Sequence, residues 1–186
     1  MQEIYFDMVG NPYFKPDNYP ISDRSSVYSL IYIKSIDACL VISPMPHINP
    51  IFFKMAGGGL ENNENYIEAI NRELIEETDY GLSDEFHLIK KIEYSFNFKP
   101  MSLDLKYIKQ KNTFLLYEIE TIECSPYQTL RWHSQKENIL CSIIPLSFFK
   151  ENFDSMHFMH KAAFKDFIEF IDKTKIMYLE NSEYFS

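Results

Sequence analysis

The chain has 186 residues, 46% hydrophobic and 16% aromatic, enough for one domain with a sizeable core and too apolar for a disordered segment. Its formal net charge is −9 and no run of Lys and Arg stands out, so the basic footprint of a protein that grips long nucleic acid is absent. No apolar run approaches the length of a bilayer span, and MQEIYFDMVGNPYF at the start lacks the basic-then-apolar order of a secretory leader; a cytoplasmic protein with no membrane role is expected.

Residues 1–24, rich in Pro, Asn, Asp and aromatics, read as a lead-in: an irregular arm or one short strand. The main domain is expected over 25–175, with a tail at 176–186. Ser26 to Lys34 (SVYSLIYIK) and Ala38 to Ser43 (ACLVIS) have strand composition and pair through a turn at Ser35, Ile36 and Asp37. Pro44, Pro46 and Pro50 mark a loop. Ile51 to Met55 is a third short strand, leading into Gly57, Gly58 and Gly59. Glu64 to Thr78 is a helix whose apolar stripe is Ile67, Ile70 and Leu74. Strands follow at Phe86 to Phe98, at Tyr107 to Ile119 after a loop around Pro100, and at Ile139 to Ile144, closed by Pro145. Ala163, Phe164, Phe167, Ile168 and Ile171 make an amphipathic helix of Met159 to Ile171. Strands, helix, strands, helix suit a mixed sheet between helices, in the α/β (α+β) class. Cys39, Cys124 and Cys141 are scattered without a CxxC, and read as small buried thiols of a reducing compartment.

The helix carries the chemistry. At about 100° per residue, Glu73, Glu76 and Glu77 project within roughly a third of its circumference, on an arc beside the apolar stripe. Three like charges so placed cost an isolated helix a few tenths of a kcal/mol per pair, roughly, unless a cation lies among them. Crowded hard oxygens suit Mg²⁺ or Mn²⁺ rather than zinc. Arg72 is placed to hold a carboxylate in a fork. The three glycines let backbone approach helix and metal, where a carbonyl adds a further donor. For any one Glu, a solvated acidic helix face is the better reading; the whole arrangement is another matter.

Gly58 is followed after five residues by Glu64, and after seven more by Arg72 and Glu73; Leu74, Ile75, Glu76, Glu77 and Thr78 continue in register. The stretch GGGLENNENYIEAINRELIEETDYGL resembles the signature of the Nudix (MutT-like) hydrolases at every charged position. It departs at Asp79, where the pattern has Gly. Either Asp79 takes the left-handed exit of the helix, or the exit is two residues longer and Gly81 and Leu82 supply the final pair.

The resemblance implies an α/β/α sandwich with a mixed central sheet. It also implies Mg²⁺-dependent attack of water on a phosphorus of a small nucleotide, a nucleoside diphosphate linked to another moiety. Glu73, Glu76 and Glu77 would be metal ligands with the carbonyl of Gly58. Arg72 would orient them, and Gly57, Gly59 and Glu64 would support the loop and helix start. Relatives of this kind take another Glu, as base or ligand, from beyond the motif. Glu137 in WHSQKEN is the candidate here, with Glu118, Glu120 and Glu123 as alternatives. Trp132, beside His133, either stacks on a base or fills the core, and His157 and His160 lack an evident third zinc ligand. Homodimers are common among such enzymes. Two alternatives stand: a catalytically silent nucleotide-binding module of the same fold, and an isopentenyl-diphosphate isomerase, for which Cys39 is the only thiol ahead of the motif.

Overall fold

The computed structural model describes residues 3–7, 10–16, 18–43, 52–99, 106–122 and 131–182, with side chains to residue 176. The expected loops at Pro44, Pro46 and Pro50 and at Pro100, together with Cys124 and Glu123, lie outside these residues. The described strands are β1 (Ile4–Phe6), β2 (Pro12–Phe14), β3 (Ile21–Ile33), β4 (Ala38–Ser43), β5 (Ala56–Gly59), β6 (His87–Phe98), β7 (Tyr107–Ile119), β8 (Arg131–His133) and β9 (Leu140–Pro145). The helices are α1 (Tyr66–Thr78), α2 (Leu146–Glu151) and α3 (Phe158–Ser182).

The strands form one sheet in the order β2-β1-β6-β7-β3-β4-β9-β8, with β5 added on β3. It is mixed: β3 runs parallel to β7 and β1 parallel to β6, and the other pairs are antiparallel. Strands buried on both faces read as continuous apolar runs, which is why VYSLIYI and ACLVIS show no clean alternation. Tyr28, Leu30, Tyr32, Cys39, Val41, Phe114 and Leu116 face α3, whose Ala163, Phe164, Phe167 and Ile171 cover them. Val27, Ile31, Ile33, Leu40, Ile42, Leu115 and Tyr117 face α1, which contributes Ala69, Ile70 and Leu74. The molecule is an α/β/α sandwich.

Four expectations change. The lead-in contributes β1 and β2, and Tyr5 is fully buried with its ring edge on Tyr107 at 4.9 Å. The third strand begins after Met55: Phe53 and Lys54 make isolated bridges, and the regular strand is Ala56–Gly59, the glycines themselves. On α1, Ile67 is 49% exposed; the buried stripe is Ala69, Ile70, Leu74, Glu77 and Thr78. The helix expected at Met159 to Ile171 is α3, Phe158–Ser182, which starts and ends beyond those bounds.

His160 is buried at the start of α3, where its Nδ1 accepts from Met55 N at 3.3 Å and its ring lies 4.6 Å from that of Tyr28. Among the described residues no third His, Cys, Asp or Glu joins it and His157. Burial, with smaller contributions from His157 and Lys54, keeps its pKa well below 6.5. The unfolded chain takes up a proton below that pH and the fold does not. This contribution is therefore complete above about 6.5 and lost as pH falls, by up to roughly 1.4 kcal/mol per unit. Urea midpoints between pH 7.5 and 5.5 should fall in wild type and flatten in His160→Leu; equal slopes would sink the assignment.

Candidate metal centre

Helix α1 is held at both ends. Asn65 is its N-cap, accepting from Ile67 N at 2.9 Å and Glu68 N at 3.0 Å, while the Glu68 carboxylate accepts from Asn65 N at 2.9 Å. That reciprocal box (Asn, then Glu three residues on) sets the start at Tyr66, two residues after the expected Glu64. At the far end Asp79 has φ 66° and ψ 5°, the left-handed conformation the pattern reserves for Gly. Gly81 has no positive φ, so the shorter exit is the one adopted.

Arg72 sits at the centre of the acidic face. Its Nε and Nη2 donate to the two oxygens of Glu64 at 2.9 and 3.0 Å. Nη1 donates to Glu73 Oε1 at 2.9 Å and Glu76 Oε2 at 3.2 Å. Nη2 also reaches the carbonyl of Gly59 at 3.1 Å. One planar fork thus ties three carboxylates to the glycine strand, a geometry a lysine cannot reproduce. Glu64 in turn accepts from Glu61 N at 3.0 Å, fixing the loop before the helix.

Glu77 lies apart from this fork. It is 4% exposed and belongs to the buried stripe, so the acidic arc overlaps the apolar face instead of only adjoining it. Its Oε2 accepts from Gly57 N at 2.7 Å and its Oε1 from Lys54 Nζ at 3.1 Å. Nothing in the motif spacing announces Lys54; only the fold brings it 23 positions across to Glu77. The glycines are needed here for space. Gly57 has φ +136°, and a Cβ there would strike the Val27 backbone. A Cβ on Gly58 would strike the Glu73 carboxylate.

A third cation arrives from the turn after β8. Lys136 Nζ contacts Glu76 Oε1, while Gln135 N donates to Asp79 Oδ1 at 2.9 Å and Trp132 Nε1 to Thr78 O at 3.1 Å. The polar segment singled out in the sequence does reach the site, through Lys136; the neighbouring Glu137 is exposed in the turn. Glu118 and Glu120 lie at the other end of β7, where Glu118 pairs with His87 and Glu120 meets Lys34. Trp132 is half-buried with its ring edge toward Tyr80, in the core role. His133 makes a contact with Asn138 O. Cys39 is buried on the α3 face, across the sheet from α1, which removes the ground for an isomerase built on that thiol.

The environments sort the carboxylates into two pairs. Hydrogen bonds from Arg72 hold Glu64 below the usual range, and Lys136 does the same for Glu76. Burial pushes Glu73 up against the pull of Arg72, and pushes Glu77 up against Lys54 and the Gly57 N–H. Lys54 is held charged by Glu77 despite its own burial. The donor set, hard oxygens of Glu73, Glu76 and Glu77 beside a side-chain-free strand, fits a divalent cation such as Mg²⁺ in chemistry. Among the described residues no three such groups already converge on one point; Arg72, Lys54 and Lys136 hold them instead.

No family model and no curated protein matches the chain in sequence. In structure it is similar to a solved ADP compounds hydrolase, with TM-score 0.51 and 16% identity over 89% of this chain and 78% of that one. A C. elegans Ap4A hydrolase gives TM-score 0.56 in a binary complex, at 12% identity over 81% and 98% of the two chains. Another structure of a C. elegans Ap4A hydrolase gives 0.52 at 13% identity over 81% and 99%. The chain has the Nudix fold. At these identities the likeness bears on architecture alone.

The Nudix helix exit gives a direct test. Asp79→Ala loses both the Gln135 bond and the tolerance of Asp for a left-handed backbone, and should destabilise the chain by about 1–2 kcal/mol. Asp79→Gly loses the bond and gains backbone ease, and should be near neutral. Urea midpoints at constant slope measure both; an Ala variant as stable as wild type would show that the bond contributes nothing.

Proposed function

We propose that the chain is a Mg²⁺-dependent pyrophosphohydrolase that cleaves the diphosphate of a nucleoside diphosphate linked to another moiety. The observation that carries this reading is the Arg72 fork. It presets Glu73 and Glu76 beside a strand of three glycines, where the Glu73 carboxylate packs against Gly58 in space that a Cβ would fill. Glu73, Glu76, Glu77 and the carbonyl of Gly58 would hold the ion, which when bound polarises phosphoryl oxygens and activates water. Arg72 and Glu64 keep those carboxylates oriented, and Gly57 N fixes Glu77. Glu137 is the base this reading assigns, one residue from the Lys136 contact.

The solved structures it resembles act on ADP compounds and Ap4A, so ADP-linked diphosphates and dinucleoside polyphosphates lead the substrate list, followed by nucleotide sugars and nucleoside triphosphates. With a net charge of −9, a small nucleotide is favoured over long nucleic acid. No helix is long and apolar enough to cross a membrane among the described residues, and the buried thiols of Cys39 and Cys141 suit a reducing cytoplasm.

A nucleotide panel with Mg²⁺ and Mn²⁺, read as phosphate release after a phosphatase step, tests the proposal. Wild type should turn over one class, and Glu77→Gln should lose roughly 10²–10³-fold while remaining folded. Arg72→Lys, keeping charge and losing the fork, should fall with it. A folded wild type inert across the panel would overturn hydrolysis. One observation favours a second reading, a silent nucleotide-binding module: the protein's own cations already engage Glu73, Glu76 and Glu77. Nucleotide binding without product would decide for it.

A further inference from the structure

Lys54 is placed with unusual firmness for a lysine. Its backbone is bonded both ways to Ile42, N to O at 2.9 Å and O to N at 3.0 Å, which pins it to the end of β4. From there the side chain runs inward, largely buried, to Glu77 Oε1 at 3.1 Å. The other Glu77 oxygen is taken by Gly57 N at 2.7 Å. A carboxylate at 4% exposure thus has a compensating charge and a hydrogen bond without any metal. Left alone in that position it would be an uncompensated buried charge, one of the costlier defects a fold can carry. The same oxygen cannot keep the ammonium at 3.1 Å and accept a divalent ion at coordination distance without strong cation–cation repulsion.

We propose that Lys54 is the resident counter-cation of this site, and that a divalent ion loads by displacing its ammonium from Glu77. This rests on the reading of the site as a metal centre and adds to it a residue outside the Nudix signature. Two consequences follow from the geometry. The pair keeps Glu77 and the α1–β5 contact in place before metal arrives. It also lowers the affinity for metal, because the ion must break an existing ion pair to enter. Lys136 is the weaker analogue on Glu76: it comes from an exposed turn, and its side chain is 60% exposed.

The experiment uses the full chain and Mn²⁺ alone. Free Mn²⁺ is followed by its electron paramagnetic resonance signal, and unfolding temperature is recorded with and without Mg²⁺. Lys54→Gln removes the charge and keeps a hydrogen-bond donor; Lys54→Met removes both. Both variants should bind Mn²⁺ at least roughly ten-fold more tightly than wild type, because the carboxylate they leave unpaired has no other counter-charge. Both should melt lower than wild type without metal and recover more on adding Mg²⁺. Lys54→Arg should stay near wild type in affinity. The glutamine variant covers the case in which methionine prevents folding. Unchanged or weaker Mn²⁺ binding in Lys54→Gln, with wild type binding, overturns the displacement and leaves the metal centre standing. Absence of Mn²⁺ binding in every form overturns the metal centre itself, and the displacement with it.

Discussion

One guanidinium organises the acidic face. Glu64 in the loop before α1 and Glu73 and Glu76 on the helix repel one another, and without a cation Glu73 and Glu76, three residues apart, would destabilise the helix that carries them. Arg72 answers all three through one planar group, and its remaining reach goes to Gly59 O. Because the fork is rigid, satisfying one carboxylate fixes where the others must stand. The hydrogen bond to Gly59 joins helix to strand, and the two hydrogen bonds to Glu64 join helix to loop. Remove the fork and strand, loop and helix lose the part common to all three.

The sheet decides where that fork can act. β3 pairs with β7 along its whole length from Ile21 to Ile33, but its other edge is divided. β4 takes Ile31 to Ile33 and β5 takes Ser26 to Ser29. The division leaves a junction beside Lys54, whose bridge to Ile42 belongs to β4 and whose side chain serves the β5–α1 contact. Apolar clusters on both faces hold α1 and α3 against this sheet, so the junction is fixed from both sides. A local device of few residues inherits its precision from the core beneath it.

The charged positions were legible because the signature is a register along one helix, and a helix converts spacing into direction. The layers were legible in the order of strands, helix, strands, helix, which suits a mixed sheet between helices. Contacts between distant segments were not legible. Lys54 and Lys136 reach Glu77 and Glu76 only because β-pairing brings them there, and no local pattern records that. The segment that holds Glu137 reaches α1 through Lys136, and the turn geometry that presents Lys136 is set by Asp79 and Asn138. Ile67 misled because an apolar residue at helical spacing is only a candidate for burial, and here the loop-facing side of the first turn stays open. The strand expected to end before the glycines includes them, and the sequence does not show it because a three-Gly run lacks the side chains that mark a strand.

The departure at Asp79 makes sense once the end of α1 is counted bond by bond. A helix leaves its last carbonyls unpaired, and a glycine exit normally folds the chain back to meet them. In this chain the partners come from the sheet. Cys141 Sγ donates to Glu77 O at 3.0 Å and Trp132 Nε1 to Thr78 O at 3.1 Å. The thiol can serve only as a donor there, since burial raises its pKa to about 12 and keeps it protonated. Asp79 then returns the connection by accepting from Gln135 N, a bond glycine has no side chain to make. The left-handed residue keeps the direction of the exit, and its carboxylate adds an anchor for the turn carrying Lys136. Loss of the glycine therefore transfers the closing of the helix from its own backbone to β8 and β9. The turn that holds Glu76 and Glu77 is fixed from the sheet side as firmly as Arg72 fixes it from the loop side.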